Sequence, residues 1–196
     1  MKKIALLAIP FAAAVSSPAM AQDTAGVGGF RLEALIGYDI ARAEFNEGQG
    51  RRDKGGVVGG AGVGYDVPLG TAFAVGADAE LTFATTDARV TGIGEVQARR
   101  DIYVGGRITA NISDAAAIYG KVGYTNLRAR LRLNEGVTAD DDDVNVGGNL
   151  DGVRGAVGVQ FGGDEDRSFY GLEYRYSNYE SDLIRHQGML VVGYRF

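Results

Sequence analysis

The chain has 196 residues, a length that suits one domain. It contains no cysteine, which excludes a disulfide framework, a thiol nucleophile and a lipidated cysteine. Twenty basic residues stand against 25 acidic ones, net −5, the wrong sign for a nucleic-acid partner.

The N-terminus is read first. Met1-Lys2-Lys3 is a basic start, Ile4 to Val15 is an apolar run broken only by Pro10, and Ala19-Met20-Ala21 is a small-x-small cleavage pattern. Secretory leaders have this layout. A retained anchor fits less well, because the apolar run is short and a cleavage site follows it. The chain therefore divides into a signal peptide at 1–21, cleaved after Ala21, and one domain at 22–196. Cleavage removes Lys2 and Lys3 and takes the net charge to −7. Glycine supplies 31 residues, far above its usual share of about 7%. Only Pro68 remains in the mature part. Glycine with aromatics and almost no proline suits twisted, closely packed strands better than a linker.

From Phe30 onward the dominant period is two. Phe30, Leu32, Ala34, Ile36, Tyr38 and Ile40 alternate with Arg31, Glu33, Leu35, Gly37 and Asp39. A helix would scatter those apolar residues over opposite faces, whereas a strand collects them on one. The same reading predicts strands over 57–67, 73–83, 101–109, 118–125, 153–161, 170–177 and 188–196. That makes eight segments, most near the length of a tilted membrane-crossing strand. The connections discriminate further. Pro68-Leu69-Gly70, Asn111 to Ala115 and Gly162 to Asp166 are short. Ala41 to Lys54, Ala84 to Arg99, Asn126 to Asn149 and Asn178 to Arg185 are polar and mostly longer. Short turns alternating with long loops predict an all-β, eight-stranded antiparallel up-and-down transmembrane barrel, with short turns and both termini periplasmic.

This topology fixes each strand's direction and so the height of each outward aromatic. Phe30, Tyr65, Phe73, Phe161, Tyr170, Tyr194 and Phe196 fall at the periplasmic rim, and Tyr38, Phe83, Tyr124 and Tyr176 at the outer rim. Two interfacial girdles result, which a soluble sandwich has no reason to produce.

The opposite face carries Arg31, Arg107, Lys121, Arg154, Arg175 and Arg195 against Glu33, Asp39, Asp66, Asp78, Glu80, Asp101 and Glu173. An eight-stranded barrel has room inside for little beyond its own side chains. Charges packed there must pair, because stranding one costs several kcal/mol. A lumen ion-pair network of Arg31, Glu33, Asp78, Glu80, Arg107, Lys121, Arg154, Glu173 and Arg175 is expected, forming a plug rather than an open pore. The inward glycines (Gly37, Gly60, Gly62, Gly64, Gly76, Gly105, Gly123, Gly158) either make room for long arginines or ease barrel curvature.

Motifs for chemistry are weak. Gly59 to Gly64 is glycine-rich, but no Lys-Ser/Thr follows and it lies within an alternating strand, so phosphate binding is disfavoured. His186 is the only histidine, which excludes a multi-histidine metal site. With Ser181 and Asp182 nearby it offers a thin catalytic reading; a solvated rim histidine opening a strand is the ordinary one. No cofactor and no enzymatic role are expected. Asp140-Asp141-Asp142-Asp143 reads as a solvated acidic loop tip, with cation binding as the alternative. Arg128, Arg130 and Arg132 alternate with leucines whose register flips relative to Tyr124, through a bulge near Thr125-Asn126 or a strand continuing above the membrane. With Arg51, Arg52, Arg99 and Arg100 they form a candidate ring for lipopolysaccharide phosphates.

The stretches Ala117 to Tyr124, Gly171 to Tyr176 and Val192 to Phe196 resemble the opacity-type, OmpA-like family of outer-membrane β-barrels. The resemblance spans the mature chain and implies outer-membrane localisation in a Gram-negative cell. It implies insertion by the barrel-assembly machinery, with Phe196 and Tyr194 as the C-terminal insertion signal. Val191 departs from the glycine common in that signal, and the girdles lack tryptophan. No peptidoglycan-binding domain is expected after the barrel. The family implies a structural, envelope-stabilising or adhesin-like role, with a small porin-like channel as the alternative. Expected partners are outer-membrane lipid and lipopolysaccharide and a host or matrix surface, with the chain a monomer. Such roles reside in loops, so no binding residue is carried over.

Overall fold

A computed structural model describes residues 28–43, 52–84, 87–90, 94–132, 145–162, 167–180 and 183–196. The leader, Arg51 and Asp140–Asp143 lie outside the described residues, and of Arg52, Arg99, Arg130 and Arg132 only the backbone is described.

The strands are β1 (Gly29–Ala43), β2 (Arg52–Leu69), β3 (Phe73–Ala84), β4 (Asp87–Val90), β5 (Gly94–Ser113), β6 (Ala116–Arg132), β7 (Asn145–Phe161), β8 (Ser168–Tyr179) and β9 (Leu183–Arg195). All pair antiparallel, and β1 pairs with both β2 and β9, so the sheet closes on itself. The short β4 and the long β3 both lie along β5, against Gly94–Gln97 and Asp101–Ala110. Nine segments therefore make eight staves.

Residue pairs set the tilt. Moving sideways from Glu33, the partners are Gly62, Glu80, Tyr103, Thr125, Gly152, Tyr179, Leu183 and finally Ala43. One circuit thus returns to β1 ten residues further along. That stagger tilts the strands by about 40° and narrows the bore to side-chain width.

The alternation is visible in burial. Along β8 each residue switches between exposed and buried without a break from Ser168 to Tyr179. All eleven girdle aromatics named above are exposed, and so is the apolar skin between them, with Ile36 at 56% and Val122 at 63%. A water-soluble protein does not present so continuous an apolar surface; hydrocarbon around the barrel removes that cost. The girdle on the side of the termini is knit across the β1–β9 seam, where the Phe30 and Phe196 rings lie 5.6 Å apart and the Phe196 amide donates to the Phe30 carbonyl at 3.0 Å.

The turns follow their chemistry. Pro68 sits near the end of β2, where a missing N–H is tolerated. Gly70 then takes φ +79, open to glycine at little cost. Asn111 fastens this turn to β5, its backbone amide donating to the Ala72 carbonyl at 2.8 Å and its side-chain amide to Thr71 at 2.9 Å.

Two sequence expectations change, and one open choice is decided. The strands outrun the alternating cores, because β5, β6 and β7 continue past the outer girdle to Gly94, Arg132 and Asn145. Hydrogen-bonded pairing there does not need an apolar face, so the hydrophobic pattern ends before the strand does. Of the two readings of the flipped register on β6, the continuing strand holds and the bulge near Thr125-Asn126 does not: β6 pairs with β7 unbroken through that region, with Leu127 buried inside and Arg128 exposed outside. The register slips instead on β5, between Ala98 and Arg100. The fourth outer connection shrinks from 178–185 to 180–182, which brings Arg185 and His186 into β9.

Candidate functional site

The inward residues of the eight staves converge in the bore. Arg31 (β1) is wholly buried and reaches three acids: its Nε lies 2.7 Å from Glu33, and its two terminal nitrogens meet Asp66 (β2) and Asp78 (β3). Arg107 (β5) donates to Gln160 at 2.6 Å, Thr109 at 3.1 Å and Glu33 at 3.2 Å, while its guanidinium lies 3.7 Å from the centre of the Tyr119 ring. Stacking of this kind suits a planar, weakly hydrated cation.

Lys121 (β6) occupies the middle. Its Nζ lies 2.8 Å from Glu80, 3.0 Å from Glu173, 3.8 Å from Glu33 and 4.0 Å from Asp78. Arg175 (β8) shares that cage, bonding Glu173 and lying 3.0 Å from Glu80. One ammonium thus faces four carboxylates contributed by three strands, with a guanidinium beside it.

A third cluster lies toward the outer mouth. Arg154 (β7) meets Asp101 (β5) and donates to Ser177 at 2.9 Å. Arg185 (β9) joins Asp39 (β1) at 2.6 Å to Asp101 at 2.9 Å. Asp101 also accepts from Thr125 at 2.6 Å and Tyr179 at 2.7 Å. Arg154 lies 3.8 Å from Glu80, so this cluster connects to the one below.

The nine residues expected in the lumen network all lie in this one connected set, on six staves. Several bonded members fall outside the expected nine, among them Arg185, Gln160, Thr125 and Tyr179. Arg185 falls in the expected loop 178–185, although counting back by twos from Met189 through Gln187 reaches it. Gln160 lies on the inward side of the 153–161 alternation, but no charge marks it as a partner. Arg195, expected on the inward face, spreads over the Phe169 ring, 4.6 Å from its centre.

The network leaves one side of the bore apolar. Leu35, Val58, Phe169, Met189 and Val191 are buried together along β8, β9, β1 and β2. Of the two roles expected of the inward glycines, room for arginines or barrel curvature, the packing shows room for side chains, though not chiefly for arginines. A side-chain carbon on Gly64 would meet the Arg31 guanidinium, as expected. Gly105 and Gly158 instead accommodate the Tyr103 and Tyr119 rings, and Gly193 that of Phe169. Rings, more than arginines, need the missing Cβ.

His186 projects from the outside wall. It is half-exposed on the lipid face, its Nδ1 lies 2.7 Å from the Tyr174 hydroxyl, and its ring meets Tyr176 edge-on at 5.4 Å. The expected solvated histidine opening a strand is thus a girdle residue within β9. Higher on that wall, Asp151 accepts from Tyr124 at 2.5 Å and from Asn126 at 2.6 Å, and these bonds hold its carboxyl below the usual range.

A closed antiparallel barrel with an apolar skin between two aromatic girdles and a bore filled by paired charges is a small outer-membrane barrel. The chain belongs to the outer membrane protein beta-barrel domain family, which matches residues 7–196. Among solved structures, Ail of Yersinia pestis is 18% identical, covering 87% of this chain and 100% of its own, with a TM-score of 0.55. Ail has also been solved in complex with the heparin analogue sucrose octasulfate, at 18% identity, coverage of 86% and 99%, and a TM-score of 0.55. Neisserial surface protein A is 14% identical, covering 87% and 99%, with a TM-score of 0.59. At these identities the likeness is one of fold. No match is found among curated protein sequences.

Proposed function

We propose that this barrel is a sealed, non-enzymatic scaffold that presents its outer loops and rim to lipopolysaccharide and to host or matrix surfaces. The observation that carries the sealed reading is the buried Lys121 ammonium, within 4.0 Å of Glu33, Asp78, Glu80 and Glu173. A cation held by four acids from across the bore obstructs the path a solute would take. Opening that path would strand several buried charges at once, each at a cost of several kcal/mol.

The lipopolysaccharide contact is supported by Arg100 and Arg128, direct partners across β5 and β6 just above the outer girdle. Like charges opposite one another repel. A phosphate between them reverses the sign, and guanidinium forks suit it. In this reading the leader is removed after Ala21, residues 22–196 form the working domain, and the monomer's termini face the periplasm. Tyr194 and Phe196 then present the insertion signal to the assembly machinery. Adhesion to a host surface draws support from the fold shared with Ail and Neisserial surface protein A.

Planar-bilayer recording of the purified barrel tests the sealed lumen. No stable nanosiemens-scale step is expected. A steady open level of that size would establish the porin-like alternative instead.

A further inference from the structure

We propose that a slot on the lipid face of β8, β9 and β1 seats one lipopolysaccharide molecule, an acyl chain in an apolar cleft and the anionic head at its outer end. The slot is floored by Gly188, which faces outward with open space above it. Tyr174 of β8 and Tyr38 of β1 are its direct partners on either side, so two phenol rings wall a gap one side chain wide. From it a groove of about 1020 Å³ with almost wholly apolar walls runs past Leu190 and Leu172 and on across β7, β6 and β5 to Phe73.

The outer end is polar. His186 stands two residues above Gly188, fixed by the Tyr174 hydroxyl at Nδ1 and by the Tyr176 ring. With Nδ1 engaged by the Tyr174 hydroxyl, Nε2 is the ring nitrogen left to meet a ligand. Arg42 of β1, two residues above Ile40, adds a cation at the same end, opposite Ile184 in the ladder. An apolar trough closed at its interfacial end by tyrosines, a histidine and an arginine is complementary to an acylated, anionic amphiphile. The head group of outer-leaflet lipopolysaccharide is phosphorylated, acylated sugar, whose rings also pack well on phenols. This rests on the lipopolysaccharide contact proposed above, at a different place on the wall from Arg100 and Arg128.

The test uses the full barrel in phosphatidylcholine vesicles containing deep-rough lipopolysaccharide, then native mass spectrometry after transfer to detergent. A one-to-one lipopolysaccharide adduct is expected. Gly188→Leu puts a side chain into open space, so the barrel folds, as a heat-dependent shift on gels checks, while adduct retention falls on the order of tenfold. Tyr174→Phe, which frees the histidine, lowers retention several-fold. Equal retention by Gly188→Leu and the parent overturns the slot. So does equal retention of phosphatidylglycerol, or a loss confined to Arg100→Ser/Arg128→Ser, which assigns the lipid to the arginine pair instead.

Discussion

Lys121 and Glu80 meet at 2.8 Å although their strands, β6 and β3, are separated by β5. The contact therefore crosses part of the bore and ties wall to wall, where a neighbouring-strand pair would only brace one wall. Removing the cation leaves Glu80, Glu173, Glu33 and Asp78 facing one another. Lys121→Met is expected to destabilise the barrel by about 3–5 kcal/mol, because a buried charge set loses its counterion. Adding Glu80→Gln recovers part of that loss. Denaturant unfolding in detergent micelles, followed by tyrosine emission, measures both, and equal stability of the parent and Lys121→Met would refute the cage.

Arg185 carries a similar burden at the outer mouth, where it bridges Asp39 and Asp101. Arg185→Met should cost about 3–5 kcal/mol, as for any buried pair broken on one side. A loop arginine would lose almost nothing on the same substitution, so the unfolding midpoint distinguishes a strand arginine from a solvated one.

The glycine prediction is steric. Gly158→Ala drives a methyl into the Tyr119 ring, and overpacking of this kind costs about 1–3 kcal/mol. Combining it with Tyr119→Leu should relieve part of the clash. Gly148→Ala, where nothing lies within reach, is expected to change stability by less than about 0.5 kcal/mol. The four unfolding curves give the comparison directly.

At the rim, Arg100→Ser/Arg128→Ser should weaken binding to lipopolysaccharide-containing vesicles by about tenfold in low salt. The difference should shrink as salt screens the phosphates. A co-sedimentation series against ionic strength reads it, and a salt-independent loss would point to a non-electrostatic role.

Phe196 packs against both Phe30 and Tyr194 at the seam, tilted on the first and edge-on to the second. Phe196→Ser is expected to slow insertion into vesicles containing the purified assembly machinery several-fold, scored by the heat-dependent gel shift. Equal insertion rates would separate the girdle role of this ring from its role as a signal.

Much of this architecture was legible before any coordinate. Period-two alternation placed Arg31, Glu33, Asp78, Glu80, Arg107, Lys121, Arg154, Glu173 and Arg175 on one face, since a strand cannot do otherwise. Strand direction sorted the eleven aromatics into two girdles. Arg185 escaped because its neighbours Ile184 and His186 are not a clean apolar pair, so the outer connection seemed to reach further than it does. The extent of β5 to β7 beyond the membrane escaped for a related reason: above the girdle neither face is apolar, and backbone pairing leaves no mark on composition.

The sequence by itself determined which face of each strand meets lipid, because burial in hydrocarbon demands apolar side chains at every second position. It also set the charge balance of the bore. Only the tertiary structure decided who pairs with whom. The ten-residue stagger brings Lys121 level with acids on β1, β3 and β8 and leaves an apolar strip along β8, β9, β1 and β2. That stagger is a sum of eight registers, each fixed by its own turn and packing, so one misjudged register shifts the whole bore by a layer.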